Sequence, residues 1–241
     1  MKILLFFSIV SLIFFPQVSK KKVTFQTSDG LEVSADLYMA KEEYPYIILF
    51  HQAGSSRGEY NETATKLTKM RFNCLAVDLR VGDNSNYIRN ETARKARKLN
   101  KPAKYIDAQY DMLAAIDYAY SLNHKNVVLF GSSYSASLSL VIGKDHPEVD
   151  AIIAFSPGEY FGDDLRMESE MDTIAKPVFI AVTENELPYV EQMIQNLPKD
   201  NVTLFQPSNS SGVHGSKALW DDSESKNEYW LALLLFINSI Q

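Results

Sequence analysis

The chain has 241 residues, 46% hydrophobic and 22% charged, which is the composition of a globular protein and excludes a disordered one. Its formal net charge of −6 argues against nucleic acid as a general partner. The single cysteine, Cys74, excludes an intrachain disulfide framework, and no Cys/His cluster has zinc spacing.

Met1 to Ser19 reads as a targeting segment. Lys2 gives it a positive start, and Ile3 to Phe15 is almost wholly apolar. That run is short for a membrane span and suits a signal-peptide core. Ser19 is a small residue for a cleavage site, but Gln17 fits the small-x-small pattern poorly, so an uncleaved membrane anchor stays open. Lipid attachment is not expected, because no cysteine follows the apolar core. The folded part then runs over residues 22–241.

Lys22 to Met39 predicts a β-hairpin turning at Ser28-Asp29-Gly30. Tyr46 to Phe50 is a continuous apolar strand, as in a sheet covered on both faces, and it runs into the loop His51-Gln52-Ala53-Gly54. Glu59 to Met70 reads as a helix and Phe72 to Asp78 as a strand, with Cys74 as a buried strand thiol. The basic run Arg89 to Lys104 reads as a solvated face, with contact to an anionic surface or substrate as the other reading. Pro102 is placed to open the next helix, whose packed face is read as Ile106, Tyr110, Leu113, Ile116, Asp117 and Tyr120. Asn126 to Phe130 is a strand, followed at once by a helix from Ala136 to Lys144. Strands follow at Val149 to Phe155, Pro177 to Val182 and Val202 to Phe205, with helices from about Pro188 to Leu197 and Trp220 to Ile240. The segment Tyr160 to Lys176 is too short for a large lid domain. The alternation predicts an α/β protein built on a single doubly wound, mostly parallel sheet flanked by helices, with an N-terminal hairpin.

The chemistry centres on Gly131-Ser132-Ser133-Tyr134-Ser135, at the strand-to-helix junction. This fits the sharp turn called the nucleophile elbow, with Ser135 where the second glycine usually stands. Such a turn strains its central serine and tolerates only small neighbours. It lifts the Ser133 hydroxyl above the sheet and leaves the Tyr134 N–H at a helix N-terminus, suited to a developing oxyanion. A serine nucleophile needs a base and an orienting acid. Of the four histidines, His51 and His124 precede the serine, and His146 ends the helix that runs away from the active edge. His214 alone lies after the last strand in a flexible loop, and is the expected base. The acid belongs after the strand ending at Val182, where Glu186 is the first choice and Glu184 the second, with Asp163 and Asp164 as remote options. Ala53 is the expected second oxyanion donor through its backbone N–H, with His51 and Gln52 supporting that loop.

On these pieces the chain resembles the α/β-hydrolase superfamily, in its dienelactone-hydrolase-like and serine-esterase branch. The resemblance spans roughly Lys22 to Gln241. It rests on Phe50 to Gly54, on Asp78-Leu79-Arg80-Val81-Gly82, on Gly131 to Ser135, and on Pro177 to Glu186 with His214-Gly215. The departures are Gln52, Val81 and Ser135 where glycine is usual, and glutamate for aspartate as the acid. A dienelactone hydrolase proper uses a cysteine nucleophile, so that particular activity is not implied. The implied activity is hydrolysis of a small or medium ester through an acyl-enzyme, with no metal or organic cofactor. A peptidase or amidase of the same fold, and a non-catalytic exported binding protein on a hydrolase scaffold, remain as alternatives. The expected partner is a small-molecule ester, with membrane attachment through the N-terminal segment left open.

Overall fold

The computed structural model describes residues 18–171 and 174–241; all but the last two residues of the targeting segment lie outside the described residues. Among the described residues ten strands are formed: β1 (Ser19–Gln26), β2 (Glu32–Met39), β3 (Tyr46–Phe50), β4 (Asn73–Val77), β5 (Asn84–Ser85), β6 (Ile88–Arg89), β7 (Val127–Ser132), β8 (Val149–Phe155), β9 (Val178–Ala181) and β10 (Val202–Phe205). Between and after them lie seven α-helices: α1 (Asn61–Thr68), α2 (Glu91–Lys98), α3 (Gln109–Asn123), α4 (Tyr134–Asp145), α5 (Met167–Glu170), α6 (Leu187–Met193) and α7 (Lys226–Ser239). Eight strands make one sheet in the order β1-β2-β4-β3-β7-β8-β9-β10, and β5 and β6 form a separate small hairpin. The β1–β2 and β2–β4 pairings are antiparallel and the rest of the large sheet is parallel. The fold is the doubly wound sheet that the alternation predicts, and the described residues contain no large lid.

The strands β3, β4 and β7 are buried at every position, because helices cover both faces of the sheet. One apolar layer joins the sheet to α3, α4 and α6. The other joins it to α1 and α7 and includes Cys74, whose thiol burial pushes up. The first hairpin is longer than expected, since Ser19 already pairs with Met39.

Four local readings are corrected. The packed face of α3 is Met112, Ala115, Ile116 and Ala119, together with Ala108 just before the helix; Tyr110, Leu113 and Asp117 turn outward. Alanines share that face with Met112 and Ile116, while Tyr110 and Leu113 sit on the outer side. Pro102 does not open this helix, which starts at Gln109 after a 3-10 turn over Tyr105–Ala108. The basic run contains the unanticipated helix α2, capped by Asn90, whose side chain accepts from the Ala93 N–H at 2.8 Å. Likewise the last helix begins at Lys226, not Trp220.

The charged residues of the Asp78–Gly82 stretch hold the scaffold. Arg80 is fully buried and donates to both Asp111 oxygens and to Asp29, while its own N–H also reaches Asp111 at 2.7 Å. Asp78 is also fully buried and accepts from the guanidinium and N–H of Arg57, which reaches on to Asp36 and Glu91. These pairs tie the loops after β3 and β4 to the hairpin and to α2. Removing one partner of such a pair leaves an uncompensated buried charge.

Arg80→Met is therefore predicted to lower unfolding free energy by about 3–5 kcal/mol, read from urea midpoints; a loss below about 1 kcal/mol would show that other groups satisfy Asp111. The hydrogen bonds from Arg80 hold the Asp29 carboxyl down at about 2. Because this folded value lies below the unfolded one of about 3.9, the stabilisation is complete above the latter and is lost as pH falls toward the former. Stability measured from pH 5 downward should fall less steeply in Asp29→Asn than in the unaltered protein.

Candidate active site

The site is built where β7 ends. Ser133 adopts φ 60° and ψ −126°, outside the comfortable regions for a side-chain-bearing residue. The neighbouring strands hold it there: its N–H donates to Phe155 O of β8 at 2.8 Å. Gly131 has no alternative, since a Cβ would lie 2.3 Å from Ser135 O and 2.5 Å from the Ala136 backbone. Ser135 does more than stay small. Its hydroxyl accepts from Ser132 N–H at 2.9 Å and donates to Phe50 O of β3 at 2.7 Å, fastening the turn to the next strand.

The loops above the sheet bring three distant residues into one line. Ser133 Oγ lies 3.0 Å from His214 Nε2, and His214 Nδ1 lies 2.5 Å from Glu186 Oε1. With Nδ1–H donated to a carboxylate, Nε2 is left as the acceptor for the Ser133 hydroxyl. Ser133 and Glu186 are buried, whereas the His214 side chain is 47% exposed, so the site opens to solvent. Burial works to raise the Glu186 carboxyl, but hydrogen bonds from His214, Thr183 N–H and Ser156 together hold it below the usual glutamate value. It therefore stays ionised and can support a positive imidazole.

Glu184 points elsewhere: it is exposed, and its N–H donates to Ser211 O at 2.8 Å. Asp163 and Asp164 are also exposed and pair with Arg166 and Lys104. His51 is fully buried; its Nε2 accepts from Leu79 N–H at 3.0 Å and its Nδ1 donates to Gln52 O at 2.8 Å. Both ring nitrogens thus brace the loop after β3. Because Phe50 pairs with Gly131, that loop leaves the sheet beside the elbow. The Gln52 N–H goes to Glu59. The N–H groups of Ala53 and Tyr134 form no hydrogen bond among the described residues; that of Tyr134 lies in the first turn of α4. No group of three or more His, Cys, Asp or Glu side chains among the described residues could hold a metal ion.

Two positions were not legible as site residues. Ser156, at the end of β8, is buried with φ 54°. Its hydroxyl donates to Glu186 Oε2 at 2.8 Å and accepts from Gly215 N–H at 2.9 Å, so one side chain positions both the acid and the histidine loop. Glu59 is fully buried, accepts from the Ser216 hydroxyl at 2.5 Å, and anchors the other side of that loop. The loop settles close to the elbow because Gly215 takes φ 72°; a Cβ there would meet Ser132 Oγ at 2.6 Å and Gln52 Oε1 at 2.8 Å. A serine at a parallel-strand end next to the elbow strand was the available signal for Ser156; nothing local marks Glu59.

With this geometry in place, comparison with known proteins adds the following. A family model described as "Dienelactone hydrolase family" matches residues 33–228. No curated protein sequence matches the chain. Among solved structures, the chain is similar to the esterase Pf2001 of Pyrococcus furiosus, at 17% identity and a TM-score of 0.65, with 92% of this chain and 93% of that one covered. It is similar to a dienelactone hydrolase from Anabaena variabilis at 16% identity and a TM-score of 0.68, over 93% and 99%. The α/β hydrolase GrgF from a Penicillium species gives 13% and 0.70, over 92% and 99%. At these identities the structural likeness concerns the fold.

Ser135→Ala is predicted to lower stability by about 1–3 kcal/mol in urea unfolding, since Phe50 O and Ser132 N–H both lose a buried partner. Ser135→Gly should not recover the loss, because the hydroxyl, not the small size, does the fastening. Recovery in the glycine variant would contradict this account.

Proposed function

The chain belongs to the dienelactone hydrolase family and is a hydrolase of the α/β fold, and from that premise we propose that it is a serine hydrolase cleaving a carboxylic ester of a small or medium substrate through an acyl-enzyme. The observation that carries this reading is the unbroken line from Glu186 through His214 to Ser133, at 2.5 and 3.0 Å.

In the proposed reaction Ser133 Oγ attacks the ester carbonyl while His214 Nε2 takes its proton. Glu186 holds the imidazole by Nδ1 and stabilises its positive form. The oxygen of the tetrahedral intermediate takes up the negative charge and is received by the N–H groups of Ala53 and Tyr134. Collapse breaks the bond to the alcohol, which leaves with the proton from His214. Water then enters, gives a proton to the same nitrogen and attacks the acyl-serine; the second tetrahedral intermediate collapses and His214 returns the proton to Ser133 Oγ as the acid leaves. The positive end of α4 at Tyr134 favours the oxyanion at each step. Because the site is open, water reaches the acyl-enzyme without movement of a lid.

Ser133→Ala is predicted to abolish labelling by a fluorophosphonate probe and to cut turnover of a short-chain aryl ester by about 10⁴-fold or more. Normal turnover in that variant would end the reading. Glu186→Gln should lower kcat by about 10³–10⁴-fold with KM little changed, whereas Glu184→Gln should act like the unaltered enzyme. Equal losses in the two variants would remove Glu186 from its role. A matched panel of esters and amides decides between an esterase and a peptidase of the same fold.

We also propose that Met1 to Ser19 directs export, with the domain either released or held at a membrane. Fractionation of the full chain against one lacking residues 1–17 tests this, and identical cytosolic recovery of both would refute it.

A further inference from the structure

Beside the elbow lies a cleft of about 440 Å³ that the hydrolytic machinery does not use. Its walls are mainly aromatic and apolar, from Tyr105, Ile106, Tyr160 and Phe161, with Lys104 and Asp164 also in the lining. The cleft adjoins the nucleophile from two sides. The ring of Tyr105 stacks on that of Tyr134, the residue after Ser133, with centroids 4.6 Å apart. The Tyr160 hydroxyl donates to Ser156 O at 3.0 Å, and the Ser156 side chain in turn holds the Glu186 carboxylate.

The cleft also lies on a definite side of the scissile bond. Phe161 belongs to the apolar layer on the α3 and α4 face of the sheet, and Ile106 and Tyr160 pack against it. His214 arrives from the opposite face: Ala218 and Leu219, a few residues on, belong to the layer shared with α1 and α7. The departing alcohol must receive its proton from His214 Nε2, so the alcohol side of the ester faces the imidazole. The acyl side is then directed to the aromatic cleft.

We propose, resting on the esterase reading, that this cleft is the acyl-binding subsite and that it takes a flat aromatic acyl group of the benzoyl or cinnamoyl type. Tyr105 is partly exposed and presents a ring on which another can stack. Lys104 and Asp164, both exposed, pair in the lining at 2.9 Å and offer a polar ring substituent both a donor and an acceptor. The preference for a ring over an alkyl chain comes from the aromatic walls themselves.

The test uses ethyl esters, so that the only ring in the substrate is on the acyl side. Hydrolysis of ethyl cinnamate, ethyl benzoate, ethyl butyrate and ethyl octanoate is followed by pH-stat, and each kcat/KM is divided by the hydroxide-catalysed rate of that ester. The expected result is a preference of roughly tenfold for the aromatic acyl groups over octanoate. Tyr105→Leu should erase most of that preference, chiefly through KM, and Tyr105→Phe should keep it. Fluorophosphonate labelling is run on the same preparations. Labelling at Ser133 with no aromatic preference, or with octanoate preferred, overturns the subsite and leaves the esterase reading standing. Absence of labelling overturns both. A preference that survives Tyr105→Leu and Phe161→Ala alike also overturns it, since the selectivity would then come from elsewhere.

Discussion

The structure depends on a turn that the backbone would not adopt by itself. Ser133 sits at φ 60°, a conformation costing on the order of 1–3 kcal/mol for a residue with a side chain. Its helix supplies part of the compensation, since Ala136 and Ser137 N–H donate to Ser133 O. The strands on either side supply the rest: β8 through Phe155 O, and β3 through Phe50 O and the Ser135 hydroxyl. A parallel sheet suits this task, because its central strands are locked in register on both edges. The reactive hydroxyl is held above the sheet by hydrogen bonds that lie within it.

The acid and the base are held by a different arrangement, one that runs above the sheet from loop to loop. Ser156 joins Glu186 to Gly215, and Ser132 and Glu59 hold Ser216. The histidine loop is thus fixed immediately after His214 while the ring itself stays half open to water. This division separates rigidity from access. The backbone that aims the imidazole is buried, and the nitrogen that must exchange protons with a departing alcohol and an arriving water is not. The Glu186 carboxylate is satisfied by three donors, which keeps it charged in spite of its burial.

The family resemblance contained residues of two kinds, and the folded chain separates them. Ser133, Glu186 and His214 meet at one point. Asp78 and Arg80, equally prominent in the sequence, are bound up in buried ion pairs with Arg57, Asp111 and Asp29. They hold the loops after β3 and β4 in place, including the loop that carries Ala53, and touch no reacting group. A charged residue in a recognisable motif can therefore belong to the scaffold that presents a site without belonging to the site.

What the sequence by itself determined is what depends on local pattern. Continuous apolar runs gave the parallel strands, since a strand covered on both faces has no polar side to interrupt it. Small residues at a strand-to-helix junction gave the elbow, and chain order narrowed the histidines to His214. Where local contrast was weak, the reading failed. The packed face of α3 mixes alanines with Met112 and Ile116 while large Tyr110 and Leu113 lie on its outer side, and α2 is so rich in arginine and lysine that its three small buried residues, Thr92, Ala93 and Ala96, leave no visible apolar face. Only the tertiary structure decided which carboxylate meets the imidazole, since Glu184 and Glu186 differ by two positions on one loop, and Glu186 turns back onto Thr183 and Ser156 while Glu184 faces solvent. It also decided that Ser156 and Glu59 support the histidine loop from 59 and 157 residues away in the chain. Contacts of that span arise from the order in which strands pair, and no stretch of neighbouring residues encodes them.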